Sequence, residues 1–162
     1  MLRKHNKLTV SDDQIYKGLF KAMWKGRFEQ VKNNPVVIVD GAHNHEGIES
    51  LIETATRHYP DKQVHILFSA LKDKEYEEMI HRLSSIAATM HFTTFDFPRA
   101  EAAEKLYSAC KHIEKSYSES WQEMLDKLLQ LYQGEKDDVI IVTGSLYFIS
   151  EVRNYLVSKK GS

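Results

Sequence analysis

Apolar positions along this chain switch between two rhythms. In "SDDQIYKGLFKAMW" Ile15, Leu19, Ala22 and Met23 recur at helical spacing behind Ser11 as an N-cap, which predicts a helix over 11–25 that stops near Gly26. "RFEQV" (27–31) alternates, "KNNP" signals a turn, and "VVIVD" (36–40) is a β-branched run, so the two segments are predicted to pair as an antiparallel hairpin. Helical spacing returns in "NHEGIESLIETATRHY", "DKEYEEMIHRLSSI", "EAAEKLYSAC", "SESWQEMLDKLLQLYQG" and "SLYFISEVRNYLVSK". Between these helices stand "QVHILFSA", "TMHFTTF" and "DDVIIVTG", runs too apolar to keep one face in water.

Strands and helices that alternate at this spacing, with central strands buried on both faces, predict an α/β domain. We expect a Rossmann-like, mostly parallel open sheet with helices on both faces and one antiparallel strand. Residues 11–160 form the expected domain, and 1–10 have the character of a frayed terminus or cut linker. In such a sheet chemistry collects past the carboxyl ends of the strands. "DGAHN", "SALKDK", "DFPRA" and "TGS" all fall there.

Composition narrows the function. The chain has 162 residues, long enough for one core, and 22 basic against 23 acidic residues give a net charge of −1. That balance offers no electrostatic case for nucleic acid or an anionic membrane. One cysteine, Cys110, allows neither an internal disulfide nor a thiolate zinc site, and no signal peptide or membrane span is legible. These features predict a cytoplasmic protein.

"VIVDGAHNHEG" (37–47) has the letters of a metal or nuclease site. His43 and His45, two residues apart in a strand-to-helix turn, would diverge once the helix starts, and no second cluster supplies further ligands, so we expect no metal site. A Ser145–His43–Asp40 triad is formally possible, but "TGSLY" is not the elbow that strains a serine into a nucleophile. No Walker or dinucleotide glycine pattern occurs. What remains is two helix N-termini, at "GAHN" and "TGS", where unpaired N–H groups favour an anion. Each residue also has a plain structural role open to it: Asp40 and Ser145 as caps, Gly41 as a tight turn, His43 bonded to backbone, Arg27 and Arg99 as solvated arginines, Asp73 and Lys74 as a helix start.

Taken in order, "MWKGRFEQV", "VIVDGAHNHEG", "ILFSALKDKEYEEMI", "DFPRA" and "VIIVTGSLYFISEVR" resemble the C-terminal domain of folylpolyglutamate synthases, in the Mur ligase superfamily, over nearly the whole chain from Ser11. The resemblance implies a part in adding glutamate to a folate with ATP and Mg2+, through an acyl phosphate that the incoming amine attacks. It implies that Arg27 and Asp40 meet the ATP and that His43 and Ser145 meet the glutamate, with no catalytic nucleophile in this domain. It also implies that a separate N-terminal P-loop domain, absent here, holds most of the nucleotide, the metal and the folate, so that this chain alone is inactive. We expect a monomer with that domain as its partner. Where the family carries proline, this chain has Lys25 and His45. The alternative is a free-standing, non-catalytic α/β module that binds a small ligand, and the DNA preceding Met1 would separate the two.

Overall fold

The computed structural model describes residues 26–160. The helix expected over 11–25 and the terminus before it lie outside the described residues. In chain order the elements are β1 (Glu29–Asn33), β2 (Val36–Asp40), α1 (His45–His58), β3 (Gln63–Phe68), α2 (Tyr76–Ser84), β4 (Thr89–Thr93), α3 (Ala103–Ser108), β5 (Lys115–Ser118), α4 (Trp121–Tyr132), β6 (Asp138–Thr143) and α5 (Leu146–Lys160).

The strands form one six-stranded sheet in the order β1-β2-β6-β3-β4-β5. β1 runs antiparallel to β2, as the hairpin pattern predicts, and the other pairings are parallel. β6, the last strand in sequence, sits in the middle. Its "VIIV" run has no polar face because it is covered on both sides. Val139 and Ile141 pack with Ile38, Ile66, Phe68 and Phe92 under α1, α2 and α3. Ile140 and Val142 pack with Val37, Val39 and Leu67 under α4 and α5. Alternate residues of one strand thus feed two separate cores.

The helices begin where local chemistry caps them. Asn44 accepts a hydrogen bond from Gly47 N at 2.8 Å to start α1, and Ser120 accepts from Glu123 N at 3.2 Å to start α4. Each such cap contributes about 1 kcal/mol. Trp121, Met124, Leu125 and Leu128 give α4 one buried stripe. At the far side of the same core, a two-pronged ion pair from Arg153 of α5 to Glu29 (2.9 and 3.2 Å) ties the β1 edge down.

The structure adds β5, which the sequence pattern does not predict, and starts α2 at Tyr76 rather than Asp73. β5 is "KSYS", four residues at the sheet edge with no buried apolar side chain, so it lacks the signal that marks a strand. Gly134, the last residue of the "SESWQEMLDKLLQLYQG" pattern, has φ +83° one residue past the cap.

The amino ends of the parallel strands carry a buried polar chain. His65 bonds Asp138 Oδ1 through Nε2 (2.7 Å) and Thr89 Oγ1 through Nδ1 (2.8 Å). Thr89 Oγ1 then meets His91 Nε2 (2.8 Å), whose Nδ1 meets Ser116 Oγ (2.7 Å). The Asp138 carboxylate can only accept, so one direction satisfies every partner with both imidazoles neutral: Ser116 donates to His91, His91 to Thr89, Thr89 to His65 and His65 to Asp138.

Candidate functional site at the carboxyl ends of the strands

β2, β6 and β3 end level with one another, with Asp40 and Phe68 both opposite Thr143. The loops that follow are stitched together. Gly144 N donates to Ala42 O (3.2 Å), and Ser69 N donates to Thr143 O (3.3 Å). Gly144 has φ +121°, and a Cβ there would stand 2.0 Å from the backbone carbonyl oxygen of Ser69, so no other residue fits this crossing.

Asp40 organises the turn before β1 as well as its own loop. Its Oδ2 accepts from Phe28 N and its Oδ1 from Ala42 N, both at 2.9 Å, while Gly41 N donates to Gly26 O at 2.9 Å. Phe28 has φ 45°, a left-handed conformation that costs a non-glycine residue on the order of 1 kcal/mol. Asp40 therefore fixes a strained turn, and Arg27 is held between its two anchored neighbours. Burial raises the Asp40 carboxyl above its ordinary range against the opposing pull of the Ala42 and Phe28 N–H groups and the Arg27 charge. Each oxygen keeps a lone pair for a further donor.

His43 is half-buried, and its Nδ1 donates to Gly41 O at 2.9 Å. That bond occupies Nδ1 and leaves Nε2 as an acceptor when the ring is neutral and a donor when it is charged. Ser145 is 2 % exposed, and its hydroxyl accepts from Tyr147 N (3.1 Å) and Phe148 N (3.4 Å), which makes it the N-cap of α5 with its own proton still to give. His45 turns elsewhere, its Nδ1 4.0 Å from Glu78 Oε2 across α1 and α2.

The four residues read from sequence fall into two adjoining pockets of about 210 Å3 each. Arg27 and Asp40 line the first with Gly26, Gly41 and Asn44. Ser145 lines the second. His43 and Leu146 line both and form the wall between them. The second pocket adds Lys74 and Arg99, which sequence reasoning left as a helix-start and a surface residue, and Tyr147, which it did not single out. Their only signal was their position past the strand ends. A larger groove of about 1130 Å3 lies beside α1 and α2 and the segment after α3, and there Arg82 bridges Glu49 and Glu78.

Among the described residues no group of three histidine, cysteine, aspartate or glutamate side chains lies close enough to hold a metal ion, and no helix is long and apolar enough to cross a membrane. The arrangement is a pair of small open cradles. The first offers a carboxylate and a guanidinium, and the second a serine hydroxyl with two cations.

The chain belongs to the family described as Mur ligase, glutamate ligase domain, whose profile it matches over residues 26–146. Within that family it is similar to dihydrofolate synthase/folylpolyglutamate synthase of Bacillus subtilis, at 44 % identity over 96 % of this chain and 36 % of the relative. It is also similar in structure to a bifunctional folylpolyglutamate synthase/dihydrofolate synthase from Yersinia pestis complexed with AMPPNP and Mn ion, at TM-score 0.74 and 25 % identity over 93 % of this chain and 35 % of that one. A further such enzyme with Mn, AMPPNP and L-glutamate bound superposes at TM-score 0.73 and 25 % identity, over 93 % of this chain and 36 % of that one. The chain spans about a third of the length of these relatives.

Proposed function

We propose that this chain is the glutamate-ligase domain of an ATP-dependent folylpolyglutamate synthase, closing over a nucleotide held mainly by a P-loop domain. The observation that carries this is the pair of cradles with a shared wall. An acyl phosphate and the amine that attacks it must meet, so a nucleotide site and an amino-acid site have to adjoin.

In this reading Asp40 accepts hydrogen bonds from ribose hydroxyls through its spare lone pairs, and Arg27 meets phosphate charge. A pocket of about 210 Å3 is smaller than a site that encloses a whole ligand, so this surface covers one side of the nucleotide. His43 presents Nε2 to the amine side of the incoming glutamate. Ser145 and the N-terminus of α5 take a carboxylate, with the Lys74 ammonium in the same pocket. Mg2+ would lie on the phosphates against the other domain, since the described residues form no metal site of their own. The contribution of this domain is positioning and charge complementarity on closure, as a monomer with the P-loop domain as its partner.

The test is ATP-dependent ligation of glutamate to a folate. The 162-residue chain alone should show none. A chimera with residues 26–160 in place of the matching region of the Bacillus subtilis enzyme should be active, with Asp40→Ala raising KM for ATP and Ser145→Ala raising KM for glutamate. Robust ligation by the chain alone, or a folded chimera that neither ligates nor binds either substrate, overturns the proposal.

A further inference from the structure

Phe28 is the one non-glycine residue at positive φ among the described residues, yet it lines neither pocket. Few residues other than glycine adopt this conformation, and a bulky one keeps it only where its surroundings hold it there. The bond from Phe28 N to Asp40 Oδ2 accounts for the backbone. The ring is held separately. Its centre lies 5.5 Å from that of His58 and 6.2 Å from that of Tyr59, on which it stacks. Both Phe28 and Tyr59 pack against the core under α1, and Tyr59 N donates to Ala55 O at 2.8 Å, so the end of α1 that receives the ring is itself closed.

The next residue is gripped from the other side. Glu29 takes the two-pronged ion pair from Arg153 of α5. Residues 28 and 29 are therefore fastened to helices on opposite faces of the sheet, one to α1 and one to α5. Those two helices begin at the two cradles, α1 behind His43 and Asn44 and α5 at Ser145. The exposed Arg27 thus stands on a turn whose place is set relative to both.

Resting on the nucleotide cradle proposed above, we propose that Phe28 is a positioning residue: its ring, seated against His58 and Tyr59, holds the left-handed turn that presents Arg27 to the phosphates. An arginine meets phosphate through direction as well as charge, because its planar fork must be aimed. If residue 28 returned to negative φ, the chain would rotate and carry Arg27 away from Asp40. Nucleotide affinity falls with the fraction of time the turn is correctly set. Without the ring, that disfavoured conformation is left to one N–H bond with Asp40. Ring contacts with α1 make it the stable one.

The test is a titration of the 162-residue chain with ADP, following the amide NMR shifts of Arg27 and Ala42, together with nitrogen relaxation of the Arg27 amide. In wild type that amide should be as rigid as those of β1. Phe28→Ala should make it mobile and weaken ADP roughly tenfold, the loss expected if the set turn is populated about a tenth of the time. The response of the Ser145 amide to L-glutamate should stay as in wild type, and Phe28→Tyr should restore rigidity and ADP affinity together. Phe28→Gly separates ring from backbone, since glycine takes positive φ freely but brings no ring, and it should fall between wild type and Phe28→Ala. His58 is exposed, so His58→Ala removes one wall of the seat with the fold intact and should weaken ADP about threefold, whereas His58→Phe should not. Wild-type rigidity and affinity in Phe28→Gly, unaltered ADP affinity in His58→Ala, or an equal loss of the glutamate response overturns the role of Phe28 and leaves the cradle standing. No response of the Arg27 and Ala42 amides to ADP in wild type removes the cradle itself.

Discussion

The two ends of the sheet both set polar side chains against an apolar layer, and they are finished differently. At the amino end the three middle members of the chain from Asp138 to Ser116 are fully engaged, with both ring nitrogens of His65 and of His91 bonded and the Thr89 hydroxyl bonded to each ring, and Tyr132 stacks on His65 at 4.0 Å. At the carboxyl end each group is half-used. Asp40 has one bond per oxygen, His43 has one nitrogen engaged, and Ser145 caps a helix with its proton unspent. A saturated polar cluster stabilises a structure, and one with directed, unspent valences is prepared for a ligand. Cluster composition alone would rank them the other way, since the amino end holds two histidines and an acid.

The sharpest way to break the carboxyl end is Gly144→Ala. With φ +121° and a contact of 2.0 Å to backbone, the added methyl has nowhere to go, and we expect a loss of about 3–5 kcal/mol in urea unfolding. Gly41→Ala is the control. Its Cβ would meet the Leu146 side-chain tip at 2.3 Å, which can swing aside, so the loss should be much smaller.

The amino end should dominate the pH dependence of stability. Burial first, then the repulsion that a protonated His65 and Lys127 would exert on a second cation, push His91 down to about 4 from 6.5. Between those values the unfolded chain binds the proton and the folded one does not. Stability should therefore rise with pH across that window by up to about 3 kcal/mol and be fully present above it. His91→Gln should flatten this slope; a slope unchanged in the variant would show that the chain is not what titrates.

His65→Ala tests the contrast directly. It strands Asp138 and Thr89, so we expect about 2 kcal/mol of destabilisation with nucleotide and glutamate binding unchanged. Asp40→Asn should do the reverse. It forfeits one N–H acceptor for about 1 kcal/mol or less, since it also relieves a buried charge, but it should weaken nucleotide binding. Because burial raises the Asp40 carboxyl, the folded state holds that proton more tightly than the unfolded chain. Its contribution favours folding at low pH and fades as pH rises through the raised value, so Asp40→Asn should remove a small slope opposite in sign to that of His91. Acid titrations of the two variants, monitored by thermal unfolding, would show whether the slopes oppose.

Much of this was legible in the sequence because burial writes itself in apolar runs. β2, β3 and β6 were plain, and the predicted β1–β2 hairpin is the pairing that puts Arg27 and Asp40 in one pocket. β5 was not, because an edge strand of Lys, Ser, Tyr and Ser carries no burial pattern. Asp40 was read as a possible helix cap, whereas Asn44 caps α1 and Asp40 spans a strained turn, a role that depends on the fold. Lys74 and Arg99 lie 25 residues apart on different loops. Their convergence rests on the Leu71–Ala100 bridge and the Tyr76–Glu101 bond, long-range contacts that leave no local trace.

Leu146 gives the shared wall its last consequence. One aliphatic side chain touches both cradles, so any occupant that shifts its rotamer changes the room on the other side. Two ligands that divide a movable partition are thermodynamically linked, and the linkage is reciprocal: whatever factor the first imposes on the affinity of the second, the second imposes on the first. Order of addition and cooperativity would then be tuned by the size of one residue rather than by a remote regulatory site.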